Sequence, residues 1–180
     1  MRKRIQTTGK QDLSAQGQPL QRRRGNGGQL FKAIAAGAVL LLLVLNLLSQ
    51  FVSVVRYYGN GMEPTLSDRE ILLVVKTDQV EAGDVIAFYY NNKVLVRRVV
   101  CTGGAELDMD DAGNVFVDGE ALAEPYVAAR SLGQCNLTFP IHVPAGQLFV
   151  MGDNRPVAMD SRLREIGTIS PDRVIGKVIL

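Results

Sequence analysis

The chain has 180 residues, with 20 Lys and Arg against 18 Asp and Glu, one His and two Cys. That length accommodates one ordinary domain with something appended and excludes a large multidomain machine. A hydrophobic fraction of 47% with 21% charged residues excludes a wholly disordered chain.

The formal charge of +2 conceals an asymmetry. Residues 1–32 hold eight cations and one acid, Asp12, which leaves 12 cations against 17 acids, a net of −5, in residues 33–180. An acidic body argues against a nucleic-acid grip. One His and two Cys cannot build the usual four-ligand Cys/His zinc site. No glycine-rich phosphate loop is present, so neither a metal nor a cofactor is implied.

In chain order, residues 1–32 read as a basic tail. Positions 6–29 are rich in Gln, Gly, Ser and Thr, a composition that predicts disorder. From Ala33 to Val55 runs a stretch of 23 residues without a charge. As a helix it reaches about 35 Å, enough to cross a hydrocarbon core. A cleaved secretory signal is the weaker reading, because 32 residues precede the apolar run and no small-x-small cleavage site follows it. The positive-inside rule then places the N-terminus in the cytoplasm and residues 56–180 outside, with the lipid bilayer as a first partner.

After the anchor the pattern changes to short β-rich runs: Ile71–Val75, Val85–Tyr90, Val94–Val100, Val115–Val117, Leu148–Met151 and Val174–Leu180. Gly, Asn, Asp and Pro punctuate them, and Asn91-Asn92-Lys93 reads as the loop of a hairpin. The expectation is a mainly antiparallel β domain over residues 56–180, with a small second lobe at about 102–145. Cys101 and Cys135 both fall outside on this topology. An oxidising exterior allows a disulfide between them, and two free thiols are the alternative.

Three motifs carry a resemblance. Gly59-Asn-Gly-Met-Glu-Pro-Thr-Leu66 follows the anchor, then comes Val94-Leu-Val-Arg-Arg-Val-Val100, and finally Gly152-Asp-Asn-Arg-Pro-Val-Ala-Met-Asp-Ser-Arg162. Together with Glu81-Ala-Gly-Asp-Val-Ile86 and Ile175-Gly-Lys-Val178, the ordered set resembles type I signal peptidases, the S26 family of serine peptidases. The resemblance covers about residues 30–180. It implies an antiparallel β domain of the LexA/signal peptidase type behind a single anchor, in the cytoplasmic membrane of a Gram-positive-type bacterium. It also implies a groove that accepts an extended peptide or preprotein. By position, Gly59, Met62, Pro64, Thr65 and Leu66 match the groove motif, and Asp153, Asn154, Arg155, Asp160, Ser161 and Arg162 the supporting loop.

In that family a Ser attacks the scissile carbonyl, a neutral Lys takes its proton, and a second Ser helps hold the Lys. Here the nucleophile position is Gly61, the general-base position is Arg97, and the supporting-Ser position is Ala158. Glycine has nothing to attack with, a guanidinium stays protonated, and a methyl group cannot orient an amine. The resemblance therefore implies a homologue without catalysis, one that binds secreted or surface-protein precursors, pilin-like ones included. The alternative is an active peptidase that uses another nucleophile. Ser67, Lys93 and His142 offer no spacing that restores a dyad or triad: in a strand, Lys93 lies about 13 Å from the Arg97 position. Alternation sets Arg97 on a strand face with Leu95, Val99 and Cys101, where a charge needs a partner; Asp160 or Asp153 are the expected acids, and the alternative is a fixed positive charge at the mouth of a peptide groove, able to bind a carboxylate or backbone carbonyls.

Overall fold

The computed structural model describes residues 27–180. The predicted disordered tail lies outside the described residues, apart from Gly27 to Lys32, which are helical. By compactness the chain divides into residues 1–41 and residues 42–180.

The helix α1 (Gly27–Phe51) is long and apolar enough to cross a membrane, and Gly28–Phe51 are exposed throughout. It ends four residues before the charge-free run does. Val52–Arg56 instead forms strand β1, antiparallel to β2 (Ile71–Val75), with Val52 opposite Val75 and Arg56 opposite Ile71. The cause is local: Val52, Val54 and Val55 are β-branched and favour a pleated neighbour over a helical turn. Lys76 secures the switch, because its backbone amide donates to Phe51 O at 2.9 Å and its Nζ to Ser49 O at 3.2 Å. Two carbonyls of the last helical turn thereby gain partners.

The remaining strands are β3 (Val85–Tyr90), β4 (Lys93–Thr102), β5 (Glu106–Met109), β6 (Val115–Val117), β7 (Glu120–Ala121), β8 (Ile141–His142), β9 (Leu148–Met151) and β10 (Val174–Ile179). They form two antiparallel sheets, a six-stranded one ordered β1-β2-β10-β3-β4-β9 and a four-stranded one ordered β7-β6-β5-β8. The second sheet is built between Glu106 and His142.

Both faces of the large sheet are covered. Val85 and Ala87 of β3 pack with Met62, Leu66 and Val74, whereas Ile86 and Phe88 pack with Val150 and Ile169 on the other side. A register shift between Val99 and Cys101 then lets Val100 and Cys101 both enter a third cluster with Leu107, Phe149 and Met151. Cys101 and Cys135 are free thiols, so the disulfide weighed from sequence is not formed here. Cys101 is buried in that cluster, and burial pushes its thiol up to about 11. Cys135 Sγ faces Leu137 O at 3.7 Å.

Candidate active-site cleft

Asn91 and Asn92 turn the β3–β4 hairpin with positive φ (44° and 61°), the conformation a two-residue type I′ loop requires. Tyr90 and Lys93 close that turn. Antiparallel alternation therefore aims the backbone groups of Val94 and Val96 away from β3. From Arg98 onward β9 covers this edge, but among the described residues no strand covers Lys93–Arg97 on that side. A cleft of about 360 Å³ opens along it, walled by Tyr57, Gly59–Gly61, Val157 and Met159.

The opposite wall is held by two buried anchors. Met62 and Leu66 are core residues at 0% and 1% exposure, and the Tyr57 hydroxyl accepts a bond from Met62 N at 3.0 Å. Burial raises the Tyr57 phenol, partly offset by that bond and by Arg97. The motif residues thus separate by role. Gly59 lines the cleft, Met62 and Leu66 fix the loop from beneath, and Pro64 is exposed. Thr65 Oγ1 donates to Asp153 Oδ2.

Asn154 ties this wall to the loop after β9: its amide donates to Gly61 O at 3.1 Å and its Nδ2 to Asn60 O at 3.0 Å. At Gly152 the approach leaves no room for a side chain. A Cβ there would lie 2.4 Å from Gly61 O and 2.3 Å from the Ala158 methyl. Gly61, Gly152 and Ala158 are therefore packed together, and Arg97 reaches over Gly61. A Cβ on Gly61 would meet Arg97 Nη2 at 3.1 Å, Cζ at 3.3 Å and Nη1 at 3.4 Å. The guanidinium occupies the space into which a residue-61 side chain would project.

Four buried arginines share this region with three buried carboxylates. Arg98 pairs with Asp153 (Nε–Oδ1 2.9 Å, Nη2–Oδ2 2.6 Å) and stacks 4.0 Å over the Tyr126 ring. Arg155 pairs with Glu124, both 1% exposed. Arg162 pairs with Asp160 (Nε–Oδ1 2.8 Å, Nη2–Oδ2 2.8 Å), and Asp160 Oδ2 also takes Gly152 N at 2.9 Å. Ser161 Oγ takes Val150 N at 3.0 Å.

Arg97 is the arginine left over. The expected pairing with Asp160 or Asp153 is not made, because both acids are already taken by Arg162 and Arg98. Its Nε donates instead to Met159 O at 2.9 Å and its Nη1 to Val96 O at 2.6 Å. Burial lowers its pKa from the ordinary guanidinium value, with nearby Asp160 and Tyr57 opposing.

Among the described residues, no Ser, Thr, Cys or His lines the cleft. Lys93 sits at its far end beside the hairpin turn, Ser67 is exposed in the turn after Leu66, and His142 is exposed on β8 opposite Glu106. Sequence reasoning overlooked Arg98, Glu124, Tyr126 and Tyr57. The Arg-Arg dipeptide was the available signal for the first, since neighbours on a strand must serve opposite faces.

A helix long and apolar enough to cross a membrane is followed by an antiparallel β domain with an open strand edge facing a motif loop, the build of a membrane-anchored β protein. The comparisons place it. The family described as signal peptidase, peptidase S26, matches residues 30–180, so the chain belongs to that family. It is 35% identical over 159 residues to signal peptidase I T of Bacillus subtilis, covering 81% of this chain and 79% of that protein. It is 31% identical over 141 residues to signal peptidase IB of Staphylococcus aureus, covering 67% of this chain and 72% of that protein. A solved signal peptidase I from Enterococcus faecalis aligns with TM-score 0.45 and 26% identity, over 57% of this chain and 97% of that one.

Proposed function

We propose that this protein is a non-cleaving member of the signal peptidase family that holds extended segments of exported precursors at the outer face of the cytoplasmic membrane. The basic residues before α1 support a cytoplasmic N-terminus and a β domain outside. The unpaired Lys93–Arg97 edge supports capture by strand addition, in which backbone hydrogen bonds give affinity independent of most side chains. Precursors of assembled surface proteins, pilins among them, are the substrates that a binder without cleavage suits, because they need holding rather than cutting.

The observation that carries the reading is the Arg97 guanidinium lying over Gly61. Where the family pattern has a hydroxyl and a titratable amine, this chain has a hydrogen atom and a permanent cation. Neither can attack a carbonyl or accept a proton. Ala158 completes the set, with a methyl group where a hydroxyl would orient the amine.

Incubating the purified full-length protein in detergent with a preprotein tests this directly. The wild type is expected to bind without cleaving, and the Gly61→Ser/Arg97→Lys/Ala158→Ser variant to gain cleavage. Cleavage by the wild type at an enzyme-like rate would falsify the reading and place a nucleophile elsewhere.

A further inference from the structure

The charge inventory of the cleft is unbalanced by one. Of the buried arginines, Arg98, Arg155 and Arg162 each hold a carboxylate in paired geometry, and no fourth buried carboxylate exists among the described residues. Arg97 is 6% exposed and has no acid within salt-bridge distance. A guanidinium carries five N–H donors, of which Nε and Nη1 use one each on Met159 O and Val96 O. The remaining donors lie over Gly61, at the floor of the cleft. A desolvated cation without a counter-ion is costly, so the site is poised to gain from an incoming anion.

The shape of the edge selects which anion. Only Val94 and Val96 aim backbone groups into the cleft, and β9 takes the edge from Arg98. A peptide strand laid along Val94–Val96 towards Arg97 therefore runs out of edge at the guanidinium. Beyond lies the wall of Gly61, Met159 and the packed Gly152–Ala158 contact. A chain added parallel to β4 that stops there presents its α-carboxylate to Arg97 in the planar, two-oxygen geometry a guanidinium fork accepts. Val96 O, now capped by Arg97 Nη1, is then freed to accept the bond of the added strand.

We propose that Arg97 is a receptor for the free C-terminal carboxylate of a peptide, so that the cleft recognises chain ends rather than passing through-chains. This rests on the peptide-groove reading above and specifies its ligand: a short extended C-terminus with an ionised end. The occupant and its partner group are complementary in charge, and the edge length sets a contact of a few residues.

The test uses full-length protein in detergent and a fluorescein-labelled hexapeptide, Leu-Val-Leu-Ala-Val-Ala, in three forms followed by fluorescence anisotropy. The forms are the free acid, the C-terminal amide, and an amide whose last residue is Asp, which keeps a carboxylate but not the α-carboxylate. The free acid is expected to bind about tenfold or more tightly than either amide, the scale of one charge-assisted paired contact. Arg97→Gln is expected to erase that preference, so that free acid and amide bind alike. If Arg97→Gln does not fold, the wild-type comparison of the three peptides still decides the matter. Equal binding of acid and amide would overturn the carboxylate receptor while leaving the groove in place. An Asp-amide that matches the free acid would overturn chain-end recognition. Binding of none of the three would overturn both this proposal and the groove reading beneath it.

Discussion

Replacing Asp153 by Asn removes the counter-charge of Arg98 while keeping the volume of the site. Asp153 is fully buried and its two oxygens receive Arg98 Nε at 2.9 Å, Arg98 Nη2 at 2.6 Å and the Thr65 hydroxyl. The amide presents an N–H₂ to at least one of these donors and leaves a guanidinium of 9% side-chain exposure without an anion. Breaking a buried pair from one side costs about 3–5 kcal/mol. A domain of this size moves by about 2–4 °C in Tm per kcal/mol, so the midpoint should fall by about 6–20 °C.

Arg97→Met is the internal control. It removes a buried cation that has no paired acid, leaving two carbonyls beside an open cleft rather than an orphaned charge. The lost bonds and the relieved desolvation oppose each other, and the net change should stay within about 1 kcal/mol, or about 4 °C. Circular dichroism melts of full-length protein in one detergent, at one scan rate, measure both. If Arg97→Met falls as far as Asp153→Asn, the claim that Arg97 is the uncompensated arginine is wrong.

Four further outcomes are expected. Gly61→Ser alone should destabilise by about 1–3 kcal/mol, because its Cβ meets Arg97 at 3.1 Å, and Arg97→Lys should recover most of that loss; additive melts of the two changes would contradict the contact. Gly152→Ala should prevent stable folding, since its methyl would lie 2.3–2.4 Å from Ala158 and Gly61 O, and a native-like melt would show that the loop gives way cheaply. Burial holds the Cys101 thiol at about 11 and the Tyr126 phenol at about 12, above their ordinary 9.0 and 10.0. The folded state thus keeps protons that the unfolded state releases. The associated stability is present below about pH 9 and is lost as pH rises through 11 to 12. Alkaline unfolding followed at several pH values should show that slope, and a flat profile between pH 9 and 12 would refute it. At pH 8 a thiol reagent should label the half-buried Cys135 well before Cys101, as peptide mapping would read.

Legibility from sequence followed the range of the forces involved. The strands Ile71–Val75, Val85–Tyr90, Val115–Val117 and Leu148–Met151 are bounded by turn residues, and local chemistry placed them. The helix end at Phe51 was not legible from a count of uncharged residues, because valines count as apolar in both helix and strand. The two-residue strands β7 and β8 exist only through their ladders to Phe116–Val117 and Glu106–Leu107, which no local pattern announces. In the site, Gly61, Arg97 and Ala158 were found by motif position. The partner of Arg97 was misread because alternation fixes a face, not a neighbour. Asp153 lies 55 residues from Arg98 and Glu124 lies 31 from Arg155, so that pairing is decided by the fold.

The contact between residues 61 and 97 bears on how the site came to differ from the family pattern. A side chain at 61 and a guanidinium at 97 compete for the same few cubic ångströms, since the shortest separation from an added Cβ is already 3.1 Å. A side chain at 61 therefore requires the Arg97 guanidinium to give by a few tenths of an ångström, so the two positions are coupled by packing. Asp160–Arg162, Arg155–Glu124 and Arg98–Asp153 are fully paired around the contact of Arg97 with Gly61. Breaking any of these buried pairs from one side costs about 3–5 kcal/mol, so they hold the cleft walls in place whatever stands at 61 and 97. A fully paired frame around a cation fitted over Gly61 is what the proposed binding role requires of the cleft.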